Sequence, residues 1–171
     1  MFKLRASLRA VTAAATLTLG AVAVPQAVAV DQPAVPLAKT ADASTRAMVM
    51  ADPQAAGAAA TVCGTGYKLF RAVPLPEGTD PRQRLATLFS YENGGKGCAI
   101  LDNNVGERQY MYLNVCKVDG TGCDKDSGNF TDYAGPVRVS SAVCAPVTAK
   151  MGQSPSSLYI NFKSEYMFSC D

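Results

Sequence analysis

The sequence predicts an all-β fold, a small disulfide-stabilised antiparallel β-sandwich or barrel of about seven short strands. Three observations predict it. All six cysteines fall between positions 63 and 170. Over the same stretch, short segments rich in β-branched and aromatic residues alternate with clusters of Gly, Pro, Asn and Asp. No window longer than about ten residues there carries helical periodicity.

The chain before that stretch divides in two. Lys3, Arg5 and Arg9 precede an apolar run over 10–24, and Ala27-Val28-Ala29 supplies the small-x-small pattern of a signal-peptidase site. Residues 1–29 therefore read as a secretory signal peptide, too short in its apolar part and too early broken by Pro25 to be an anchor. No transmembrane segment is expected after processing. Residues 30–62 are Pro/Ala-rich, with Pro33, Pro36, Pro53 and Ala55 to Ala60 broken only by Gly57, and hold no aromatic residue. They read as a flexible tether or a cleaved propeptide, because so little apolar area cannot offset ordering entropy. The domain proper is expected over 63–171.

Charge narrows the partners. The precursor carries 16 basic and 14 acidic residues, and the leader removes three basic ones, leaving 13 against 14. A near-neutral domain without a basic cluster argues against nucleic acid as the partner.

In the domain, 67–73 reads as a strand after the turn Cys63-Gly-Thr-Gly66, and 74–82 as a Pro-punctuated loop. Residues 85–92 alternate, with Leu85, Thr87, Phe89 and Tyr91 on one face, and end at the Asn-Gly-Gly-Lys-Gly turn of 93–97. That turn resembles a phosphate cradle only superficially, lacking the Gly-Lys-Ser/Thr ending and a following helix. Further strands are expected over 98–101, 109–118, 137–141, 143–147 and 157–168.

An even number of cysteines in an exported chain implies disulfides, and zinc is disfavoured by the absence of histidine and of closely spaced cysteine pairs. Cys116 and Cys123 flank an Asp119-Gly120 turn that brings them together across a hairpin. For the other four, Cys63–Cys98 and Cys144–Cys170 are the expected pairs. The chain-entropy model assigns about 2.5 kcal/mol to the short loop and nearly 4 (~3.8) to a 63–98 loop, large parts of a total stability of about 5–15 kcal/mol.

Particular strings resemble a known family. Residues 63–70 (CGTGYKLF), 87–101 (TLFSYENGGKGCAIL) and 127–139 (SGNFTDYAGPVRV) followed by AVCAPV are similar to the spore-associated protein A family, small secreted proteins of Streptomyces and related actinobacteria. The resemblance spans most of 63–147. It implies a secreted β domain associated with spores or aerial hyphae, with no established enzymatic activity, and spore or cell-wall surface components as partners. The chain departs from the pattern in three places: the insertion 30–62, the additional pair Cys116 and Cys123, and Ala-Pro after Cys144 where a Trp is usual.

Residues able to carry chemistry are few. The sequence has no histidine, which removes Ser-His-Asp and Cys-His schemes, and the cysteines are taken up by disulfides. Glu77, Glu92, Glu107 and Glu165 read as surface acids rather than a glycosidase pair. The run 124–132 (DKDSGNFTD) is the one metal-like pattern, in which Asp124, Asp126 and Asp132 form a weak candidate calcium loop. Gly128 stands where a ligand belongs, so a solvated Asx-rich turn is the leading reading. No cofactor, metal or catalytic residue is expected. Tyr110 and Tyr112 share a strand face, with Tyr91 as a neighbour, and form a candidate sugar-stacking surface if not core. The expected function is a non-enzymatic, secreted spore- or cell-surface protein. The alternative is a binding module for cell-wall glycan, or a protease inhibitor presenting the 116–123 loop.

Overall fold

The structure, a computed structural model, describes residues 34–171. The signal peptide read over 1–29 lies outside the described residues. Among those described, two helices precede eight strands: α1 (Ala43–Ala51), α2 (Pro53–Cys63), β1 (Lys68–Leu75), β2 (Ala86–Asn93), β3 (Lys96–Asn103), β4 (Gln109–Val115), β5 (Asp124–Phe130), β6 (Tyr133–Val139), β7 (Val147–Ser154) and β8 (Ser157–Ser164). The strands form two four-stranded antiparallel sheets, β1-β2-β3-β6 and β5-β4-β7-β8, packed as an open sandwich with no closed barrel.

Local chemistry explains the connections. β2 and β3 are joined by Gly94-Gly95, both with positive φ, and Asn93 pairs Lys96 across this two-residue turn. Two left-handed residues match the right-handed twist of the flanking strands, and only glycine adopts them without strain. β4 and β5 form the disulfide-closed hairpin, after which the chain crosses to the other sheet as β6 and returns as the β7–β8 hairpin.

Several strand boundaries differ from expectation by a few residues, and two regions differ in kind. Residues 124–130, read as an acidic turn, are β5, paired in unbroken register from Val115↔Asp124 to Gln109↔Phe130. Its polar side chains fit an edge strand, where one side has no partner and burial is slight. The segment expected at 143–147 starts only at Val147, because 140–146 is a loop held by Cys144 N–H donating to the Ser169 carbonyl (2.8 Å).

The core between the sheets gathers alternate residues: Leu88, Ala99 and Leu101 from one sheet face Met111, Leu113, Val147, Ala149 and Met151 from the other. Met167 and Phe168 return from beyond β8 to plug one end. A Cβ on Gly97 would lie 2.7 Å from the Phe168 ring, so that position tolerates no side chain. Ser90 Oγ donates to the Met167 carbonyl, and Cys144–Cys170 fastens the plug.

Residues 30–62 are expected to form a flexible tether or a cleaved propeptide, and those described are folded rather than loose. From residue 34 on, this segment is folded onto the outer face of β1–β3, where Met48, Ala56, Ala59 and Cys63 cover Leu69, Phe89, Tyr91 and Ile100. The reason is that the apolar area comes from the sheet. Small alanines let the helices approach closely, and burying one aromatic such as Phe89 contributes about 2–3 kcal/mol. Asp42 caps α1, accepting from Thr45 N–H (2.7 Å), and Asp52 caps α2, accepting from Ala55 N–H (2.9 Å), with Pro53 in the first turn. Burial pushes the Asp42 carboxyl up, but hydrogen bonds from Thr45 and Ser44, with Arg71 beside it, together hold it below the usual carboxylate range. Arg84 pins the second cap through Asp52 (2.6 Å) and reaches Thr87 Oγ1 (2.6 Å).

Candidate binding face

The two sheets are dressed differently. The β1-β2-β3-β6 sheet is covered on its outer face by the helices and at one edge by residues 36–38, where Leu69 N–H donates to the Pro36 carbonyl (2.7 Å) and Ala38 N–H to the Leu69 carbonyl (2.8 Å). Its other edge, β6, is closed by side chains. Asp126 Oδ2 accepts from Gly135 N–H and Asp124 Oδ2 from Arg138 N–H, both at 2.8 Å. The β5-β4-β7-β8 sheet has no such cover among the described residues.

Its outer face follows from alternation. Met111, Leu113 and Val115 point inward with Val147, Ala149 and Met151, so the residues between them point outward. Register then assembles rows across the sheet: Ser127–Tyr112–Lys150–Asn161 and Lys125–Asn114–Thr148–Lys163, with Asn129–Tyr110–Gly152 beyond. The Lys150 ammonium lies 5.4 Å from the Tyr112 ring centre, within cation–π range. Tyr159, 40% exposed, stands on β8 where a bulge breaks the register at Gly152. Burial raises its phenol above the ordinary value. The result is a surface of aromatic rings, amides, hydroxyls and ammonium groups.

Of the expected tyrosine surface, Tyr110 and Tyr112 are half-buried on this face, as their shared strand side required. Tyr91 is not with them. It is fully buried on β2 beneath α2, and its hydroxyl donates to the Ala56 carbonyl (2.7 Å). Burial pushes that phenol far above its ordinary range. The alternation in 85–92 identified a face correctly, but the helices that cover it came from a segment read as unstructured.

The run 124–132, expected as a solvated Asx-rich turn with a weak calcium candidate, is mostly strand β5. Asp124 and Asp126 lie on a strand with carboxylates bound to backbone amides of β6, and Asp132 sits in the crossing turn whose carbonyl accepts from Asn103 N–H (2.7 Å). A regular strand cannot wrap its carbonyls around one ion, as a calcium loop must. No group of three acidic, cysteine or histidine residues among the described residues is placed to hold a metal.

The cysteines pair as Cys63–Cys98, Cys116–Cys123 and Cys144–Cys170, the first anchoring α2 to β3. Glu92 Oε1 accepts from Ser169 N–H (2.6 Å) and so holds the terminal plug, while Glu77, Glu107 and Glu165 are exposed. Asp102 is the acid that sequence reasoning missed. It lies near the end of β3, where burial pushes its carboxyl up and a hydrogen bond from Asn104 Nδ2 (2.7 Å) only partly offsets this. A groove of about 330 Å³ between residues 34–36 and the end of α2 is lined by Ala, Val, Pro, Gly, Thr and Tyr and holds no charged side chain.

Fold and site together define a disulfide-stapled β-sandwich with a helical cover on one sheet and a bare polar face on the other. The chain is similar to spore-associated protein A of Streptomyces coelicolor, 33% identical over 91 residues that make up 50% of this chain and 54% of that protein. It thus spans about half the length of that relative, and the similarity supports the resemblance read from the motifs. No protein-family profile matches the chain, and no solved structure matches it.

Proposed function

We propose that this protein is a secreted, non-catalytic component of a spore or cell surface that acts by binding through the outer face of β5-β4-β7-β8. The observation that carries the reading is the unequal dressing of the two sheets. One has faces and edges covered by its own chain, while the other presents Tyr110, Tyr112 and Tyr159 among amides and lysines. Tyrosine presents rigid, amphipathic contact area at low entropic cost, which suits recognition of polar surfaces. Three disulfides and the relative's name fit an extracellular or surface location. A non-catalytic role is favoured by a sequence without histidine and by cysteines that are all paired.

Fractionation tests this directly. Washed spores, hyphal walls and culture medium are probed for the protein, and recovery mainly with spores or walls is expected. Loss of that retention in Tyr112→Ala, with cooperative thermal unfolding retained, assigns it to the face. A wild-type protein found only in the medium removes the proposal.

A further inference from the structure

The ligand class can be read from the charge on this face, an inference that rests on the binding reading above. Lys125 and Lys163 close the two ends of a single row through Asn114 and Thr148. They are three strand spacings apart, about 14 Å between backbones. Lys150 stands one row along, beside the Tyr112 ring. No Asp or Glu occupies an outward position on these strands, because the acids of β5, Asp124 and Asp126, alternate to the inner side and bind β6. This separation is not a by-product of a basic chain, since beyond the leader acidic residues slightly outnumber basic ones.

A carboxylate-free strip of spaced ammonium groups complements a linear chain with recurrent negative charge. The cations are lysines, which meet phosphate as compact point charges without demanding one bidentate geometry. The intervening tyrosine, asparagine and threonine side chains offer rings and hydrogen-bonding groups for sugar. We propose that this face binds a phosphodiester-linked glycan polymer of the cell envelope, the lysines meeting successive phosphates and Tyr112 the sugar between them.

Sedimentation of the oxidised, full mature protein with purified cell walls tests this, before and after hydrofluoric acid strips phosphodiester polymers and leaves the peptidoglycan. Affinity is expected to fall about tenfold on stripped walls, and by a similar factor in the triple variant Lys125→Gln/Lys150→Gln/Lys163→Gln on intact walls. The triple variant should keep the wild-type melting temperature, its sites being on the surface. Equal binding to stripped walls, still lost in Tyr112→Ala, overturns the phosphodiester while sparing the contact face. Absence of binding to either preparation overturns both. Tighter binding to a single-stranded oligonucleotide than to intact walls also overturns the glycan.

Discussion

The two sheets have the same strand number and share one core, yet only one of them is finished on the outside. In the β1-β2-β3-β6 sheet, every β2 residue from Ala86 to Tyr91 is buried, because one side faces the other sheet and the opposite side faces the helices. In the β5-β4-β7-β8 sheet, β4 alternates strictly between buried and half-buried. The lesson is that a residue's position on a strand does not decide its role. Phe89 and Tyr112 are both ring-bearing residues at outward positions of central strands, and one is core while the other is surface.

The contrast can be broken most severely by deleting 34–62. This uncovers Leu69, Phe89, Tyr91 and Ile100 together, and the shortened chain is expected to lose cooperative thermal unfolding and to bind a hydrophobic dye. A truncated protein that melts like the full chain would show that the helices are ornament. Single substitutions sharpen the same point. Phe89→Ala should cost about 3–5 kcal/mol in urea unfolding, whereas Tyr112→Ala should cost less than about 1 kcal/mol. Similar losses at the two sites would refute the unequal dressing. Next in size is the sealed edge, where Asp126→Ala leaves Gly135 N–H without its acceptor. A loss of about 1–2 kcal/mol is expected, with faster hydrogen exchange at Gly135 whether or not calcium is present.

The smallest effect concerns pH. Asp102 has a raised folded-state carboxyl pKa, so the folded chain holds that proton more tightly than the unfolded one. Its contribution to stability is therefore most favourable below the unfolded value of about 4 and declines as pH rises through the folded one. Asp102→Asn should raise stability at neutral pH by less than about 1 kcal/mol, and the gain should vanish below about pH 4. A gain that persists in acid would mean burial of the charge is not its source.

The β class, the turn at Gly94-Gly95 and the shared face of Tyr110 and Tyr112 were legible because each depends on local spacing. The helices were not, although their start signals stand in the sequence as Asp42-Ala-Ser-Thr45 and Asp52-Pro53. Low apolar content hid them, since the surface that stabilises α1 and α2 belongs to β1–β3 and is distant in sequence. β5 was hidden for the opposite reason. Asp124 and Asp126 look like turn residues until β6 supplies amides for them to accept from, and that neighbour arrives through a crossover no local pattern announces.

The terminal plug has a consequence for how the protein comes into being. Met167 and Phe168 occupy core positions and Cys170 locks them, so the interior lacks its stopper until the chain through Cys170 has been made. A chain made amino end first is thereby kept unsealed until these residues leave the ribosome.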